Sequence, residues 1–258
     1  MTSSSTSRGD PARTLALLWR IDDQPRRGPQ RGLDLDAVVA AATAIADREG
    51  LDAVTMRRLA KDLGVSAMTL YTYVPGKDEL VDLMLDAAYQ RMPRPDTTGQ
   101  PWRQRLTAIA DANRALYLTH PWASTVSTQR PPLGPGLMAK YEHELAALDG
   151  LGLTDVEMDD ALTCLLGFVQ ANAQAANDAR VTQRISQMND EQWWAANAPL
   201  LAHILDETAY PLAARVGAAA GAAHGGAYNP DHAYRFGLSR VLDGLAALID
   251  DAPRRPRS

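Results

Sequence analysis

The sequence predicts an all-α protein, in which a small N-terminal helix-turn-helix, three-helix domain precedes a larger helical body. Three observations carry this. From Asp34 onward apolar residues recur at three- and four-residue spacing, and no useful length alternates with period two. In "RRLAKDLGVSAMTLYTYV", Arg57 to Val74, two short helical patterns flank a single Gly-Val-Ser. Finally, "PRPDTTGQP", Pro93 to Pro101, breaks the helical pattern and separates 33–92 from 93–258.

The first helix begins at Asp34 or Asp36, whose carboxylates suit free amides, and turns Val38, Ala41, Ala42, Ile45 and Ala46 inward before Gly50 stops it. Thr55 opens a second helix carrying Leu59 and Leu63, and Gly64 ends it. Ser66 caps a third, to about Tyr73. Pro75 to Met92 forms a fourth, with Leu80, Leu83, Met84 and Ala87 inward. Further helices are expected at Trp102–Thr119, Leu137–Leu148, Asp155–Asp178, Asp190–Glu207 and Pro230–Ile249. Gly217 to Pro230 reads as a mobile small-residue linker.

Residues 1–32 read as a flexible basic arm, with six arginines against three aspartates, a local charge of +3, and one short helical or sticky segment, Thr14 to Ile21. No run in this region is long enough for a signal peptide or a membrane span. The arm either touches the DNA minor groove or stays disordered, with DNA contact the expectation. Cys164 is the only cysteine, which excludes an intramolecular disulfide and a thiolate zinc site, suits a reducing cytoplasm, and is expected to be buried. A net charge of -5 argues against a general polyanion binder, so any nucleic-acid contact must come from a local patch.

Two helices that cross steeply need a small residue at the crossing, a left-handed turn residue and apolar residues beneath. Ala60, Gly64, Leu59, Leu63, Val65 and Leu70 supply these in order. With Leu70 and Val74 inward, Ala67, Met68, Thr69, Tyr71, Thr72 and Tyr73 face outward. Small and hydroxyl side chains let a helix sit deep in a major groove. Lys77 can reach a phosphate, Arg57 can clamp one beside free amides, and Arg58 reads as a solvated surface residue.

The stretch Leu35 to Leu85, with its "T-x-R-x-L-A-x-x-L-G-V-S" and "L-Y-x-Y-V-x-x-K-x-E-L" runs, resembles the DNA-binding domain of the TetR family of bacterial transcriptional regulators. The resemblance implies that Thr55, Arg57, Ser66, Thr69, Tyr71, Tyr73 and Lys77 contact DNA, while Ala67, Met68 and Thr72 face the bases. Neither Ala67 nor Met68 can form a bidentate bond to a base, so specificity leans on apolar contacts, water or DNA shape.

Beyond Trp102, "HPW", "RPPLGP" and "GLSRVLDGLAALI" resemble the C-terminal domain of the tetracycline-repressor subgroup, which implies a ligand-binding and dimer-forming body. The homodimer would use Asp155–Asp178 and Pro230–Ile249 as a four-helix interface on a double-stranded DNA operator. The pocket for a small-molecule inducer is expected among Ile109, Asn113, Tyr117, Met138, Tyr141, Leu165, Phe168 and Asn172. The histidine with which tetracycline repressors hold magnesium has no counterpart at Val126 or Ser127, and their glutamate aligns with Ala175. A different ligand with no metal and no cofactor is therefore expected. Adjacent indoles point about 100° apart on a helix, so at most one of Trp193 and Trp194 faces inward, in the core.

Two other classes remain, a helical enzyme and a DNA-architectural protein without ligand. The five histidines form no H-x-x-x-H pair, and there is no G-x-S-x-G, P-loop or G-x-G-x-x-G. "YEHEL", Tyr141 to Leu145, reads as a charged surface stretch. The protein is expected not to be an enzyme.

Overall fold

The computed structural model describes residues 10–21, 33–127, 130–226 and 228–251, which form eleven α-helices and two short 3-10 turns. Among the described residues there is no strand, and no helix is long and apolar enough to cross a membrane.

Helix α1, Pro11–Leu18, is capped by Asp10 and packs against the last helix of the small domain, with Thr14 and Leu18 buried. The short helical segment expected at Thr14 to Ile21 is thus a helix that starts at Pro11, and it is docked rather than part of a flexible arm, because Leu17 and Leu18 give it an apolar edge to bury. The remainder of that expectation, 1–9 and 22–32, lies outside the described residues.

Helix α2, Leu35–Glu49, starts where Asp34 accepts the Ala37 amide at 2.7 Å and ends at Gly50, φ 86°. After a 3-10 turn, Leu51–Ala53, come α3, Met56–Asp62, and α4, Ala67–Tyr73. Helix α5, Lys77–Arg91, is buried over most of its circumference, since α1, α2 and α7 cover it from different sides. That leaves Asp82 and Asp86 inside as well.

The body begins with α6, Trp102–Thr119, and a 3-10 turn, Pro121–Thr125; α7, Pro135–Leu145, follows. Helix α8, Asp155–Ser186, opens on a reciprocal Thr154–Glu157 capping box and ends at Gln187 in the left-handed region. It extends past the expected Asp178 because no glycine or proline stands between Asp178 and its end at Ser186. Helices α9, Asp190–Ile204, and α10, Pro211–His224, lead to α11, Pro230–Asp251.

Most of Gly217 to Pro230 is thus helix rather than linker, because the alanines between Gly217 and Gly221 carry the helix until Gly225, φ 67°. A Cβ on Gly221 would sit 3.0 Å from the Trp194 indole nitrogen, so the indole would have to give way by a few tenths of an ångström. Neither tryptophan is a core residue: Trp193 is exposed and Trp194 half-buried against α10. Cys164, too, is exposed, on a face of α8 that the other described residues leave uncovered.

Candidate nucleic-acid interface and ligand site

The α3–α4 turn follows from local chemistry. Thr55 caps α3 through the Arg58 amide at 3.2 Å, Gly64 takes φ 68°, and the Val65 amide bonds back to the Ala60 carbonyl at 2.9 Å. Ser66 caps α4 through the Thr69 amide at 3.0 Å. Leu70 and Val74 are fully buried beneath.

The opposite face of α4 is open. Ala67, Met68, Tyr71 and Thr72 are exposed, Met68 by 77%. Thr69 is half-buried with its hydroxyl 2.9 Å from that of Ser66. Tyr73 and Lys77 are also half-buried, and both are engaged within the domain. The Tyr73 hydroxyl donates to the Leu33 carbonyl at 3.2 Å, and Lys77 Nζ donates to the Leu51 carbonyl at 2.9 Å. Lys77, expected to reach a phosphate, is thus already bonded within the domain, because the carbonyl of the 3-10 turn lies within reach of its stem.

Arg57 is exposed, whereas Arg58 is braced by Glu49 at 3.1 Å and Asp62 at 2.9 Å. These two carboxylates raise the guanidinium further above its ordinary range, through hydrogen bonds first and charge second. Arg57 is an exposed cation at the start of α3, beside the capping residue Thr55.

Of the eight residues expected in the ligand site, Ile109, Asn113, Tyr117, Leu165 and Asn172 are buried in the body and Phe168 is half-buried, stacked on Tyr234. Met138 and Tyr141 point outward, each 37% exposed, and the Tyr141 hydroxyl donates to Asp159 at 2.7 Å. They do not join the buried set, since α7 turns Leu137, Lys140 and Glu144 inward instead.

A charged cluster occupies that inner face. Glu144, 1% exposed, accepts from Lys140 Nζ at 2.7 Å and from Asn113 Nδ2 at 2.6 Å. Asn113 Nδ2 also donates to the Ile109 carbonyl at 3.0 Å, so its Oδ1 must point the other way, and that oxygen is buried without a partner. The Lys140 ammonium stands 5.3 Å from the Tyr89 ring. Burial raises the Tyr89 phenol well above its ordinary value and Tyr117 to about 12, with the Glu144 charge adding to both. Glu144 belongs to the stretch expected on the surface. The spacing of Leu137, Lys140, Glu144 and Leu148 is the signal that places it inside.

Two carboxylates join the small domain to the body. Asp86 on α5 accepts the Gly136 amide at 3.1 Å and the Leu137 amide at 2.8 Å, capping α7. Burial raises its carboxyl, opposed by those two bonds and by the Arg20 charge. Asp47 on α2 binds His120 Nδ1 and Trp122 Nε1 with one oxygen, both at 2.8 Å. Neither joint was apparent from spacing, because the partners are more than 45 residues apart.

Among the described residues no three His, Cys, Asp or Glu side chains are grouped to hold a metal ion. The expected dimer faces on α8 and α11 each present one uncovered side, with Cys164 on the first and Phe236, 60% exposed, on the second.

Residues 38–84 match the model of bacterial regulatory proteins of the tetR family, and residues 94–249 match that of the tetracyclin repressor-like C-terminal domain. The chain is 40% identical to the HTH-type transcriptional repressor DrrR1 of Streptomyces coeruleorubidus, over 99% of this chain and 92% of that protein. It is 25% identical to the class E tetracycline repressor protein of Escherichia coli, over 87% and 96% of the two chains. The crystal structure of the TetR family protein ActR of Streptomyces coelicolor in complex with actinorhodin superposes with a TM-score of 0.72 at 27% identity, covering 87% of this chain and all of that one.

Proposed function

The chain belongs to the TetR family of bacterial transcriptional regulators, and we propose that it is a ligand-responsive repressor which binds a pseudo-palindromic operator as a homodimer. In this reading 33–92 recognises the operator, 93–258 binds ligand and dimerises, and the protein works in the cytoplasm. One observation carries it: α4 exposes Met68, Ala67, Tyr71 and Thr72 among the described residues, while Leu70 and Val74 anchor it from below. A thioether or methyl suits a thymine methyl in the major groove, and Thr72 and Tyr71 suit phosphates or base edges. Arg57, Thr55, Ser66 and Thr69 then track the backbone of the DNA, and Tyr73 and Lys77 reach it only by giving up, or sharing, their bonds within the domain.

Dimerisation places two such helices about 34 Å apart on successive turns of one face of DNA. Helix α9 has no buried residue, and α10 buries only Gly221, so Leu200, Ile204, Leu212 and Val216 stay open in the single chain. Apolar area of this kind supports association with a second copy. Ligand binding is supported by the buried, unpartnered oxygen of Asn113, whose amide nitrogen bonds Glu144, since an interior acceptor left alone is costly until something donates to it. A small molecule that prefers splayed recognition helices would lower operator affinity by the coupling energy, ~1 to 3 kcal/mol.

Selection of bound sequences from a randomised duplex pool at two salt concentrations tests this reading. A two-fold symmetric consensus is expected, and no enrichment above background overturns it. Thermal shifts with a small-molecule panel then separate a ligand-responsive repressor from an architectural DNA-binding protein, which none would stabilise.

A further inference from the structure

Helix α1 and the two residues after it lie outside both stretches that match the family, yet they touch three parts of the molecule at once. Thr14 and Leu18 are buried where α1 lies on α5, the last helix of the small domain. Trp19 Nε1 donates to the Leu133 carbonyl at 2.8 Å, in the loop that enters α7 of the body. Arg20 pairs with Asp36 in the first turn of α2. Its charge also acts on Asp86, the residue that caps α7 from α5.

The backbone is shaped for this. The Ile21 amide bonds to the Ala16 carbonyl at 3.0 Å and the Arg20 amide to the Leu17 carbonyl at 3.4 Å, which closes α1 in a Schellman turn. Arg20 occupies the left-handed position, φ 55°, where glycine or asparagine is the ordinary choice. A side chain at a strained position calls for a reason, and here the guanidinium it carries reaches α2 while the neighbouring indole reaches the body.

We infer that Trp19 and Arg20 are positioning residues for operator recognition: together they clasp the helix-turn-helix domain to the body and hold the recognition helix at one angle. Because the body would carry the dimer axis, that angle sets the separation of the two recognition helices, and hence the half-site spacing the protein accepts. The inference rests on the dimeric repressor reading. It assigns α1 an intramolecular role and replaces the expectation that this part of the chain reaches DNA.

The test uses the full-length chain and the operator recovered by selection, in its native form and with one base pair inserted between the half-sites. Arg20→Gly removes the cation and eases the turn, so a lost effect cannot be ascribed to a distorted backbone. Trp19→Phe removes the donor and keeps a ring. In either variant the affinity ratio between native and lengthened operator should fall by about fivefold or more, within the range of couplings between sites, while the slope of affinity against salt stays unchanged. Equal weakening on both duplexes with a shallower salt slope would make the segment a phosphate contact and overturn the clasp. An unchanged ratio in both variants overturns it as well. Failure to recover any symmetric operator sinks instead the repressor reading beneath it.

Discussion

The Asp86 carboxylate on α5 accepts the Leu137 amide of α7 at 2.8 Å, so the helix beneath the recognition unit caps a helix of the body. A second bond, from the Gly136 amide at 3.1 Å, satisfies another free donor of that helix start. Glycine is required at this joint, because a Cβ on residue 136 would lie 2.1 Å from the Asp86 backbone oxygen. Asp86→Ala should cost about 1 to 3 kcal/mol through two orphaned amides. Gly136→Ala should cost as much or more, since a backbone atom cannot rotate away. Denaturant unfolding of both variants checks this, and a wild-type midpoint for Gly136→Ala would mean that the joint opens freely.

The Lys140–Glu144 pair is buried on both sides. Removing one partner leaves an uncompensated interior charge, so Lys140→Ala should destabilise by about 3 to 5 kcal/mol. A joint Lys140→Met and Glu144→Leu replacement should lose less than the single change despite altering more atoms. The unfolding midpoints of the two proteins, compared directly, decide it; the reverse order would show that the pair stabilises the core outright.

Tyr71 and Lys77 separate recognition from folding. Tyr71 has no intramolecular bond among those described and is 43% exposed, so Tyr71→Ala should weaken operator binding and leave the melting temperature in place. Lys77→Ala should weaken binding and also lose about 1 kcal/mol of stability with its bond to the Leu51 carbonyl. Leu70→Ala, at a fully buried position under α4, should loosen the small domain by ~2 to 5 kcal/mol. Operator titrations paired with melting curves distinguish the three; full operator affinity in Tyr71→Ala would remove α4 from the groove.

Stability should decline in alkali. The Tyr117 phenol is raised by burial and by Glu144, so the folded chain holds that proton more tightly than the unfolded chain does. The associated stability is complete below the ordinary phenol value of about 10 and is lost as pH rises through about 12. Unfolding followed across that window should show a slope that Tyr117→Phe reduces. A stability independent of pH there would mean that water reaches the hydroxyl.

Residues 33–92 were legible because each of their elements is local. Asp34, Thr55 and Ser66 sit within three residues of the amides they cap, and Gly64 lies between the helices it separates. Leu70 and Val74 fall on one face of α4 by helical periodicity alone. The body was less legible. Lys140 and Glu144 carry charges that usually mark a surface, and an alanine- and glycine-rich stretch resembles a linker until its alanines are weighed as helix formers.

By itself the sequence determined the all-α class, the helix-turn-helix and the outward face of α4, since caps, turns and periodicity act over a few residues. Only the tertiary structure decided that Lys77 and Tyr73 bond within the domain and that Met138 and Tyr141 face out while Glu144 faces in. It alone decided that Asp86, Asp47 and Trp19 tie the small domain to the body. Each of these depends on which helices meet and at what angle, and packing sets that through contacts between residues distant in the chain.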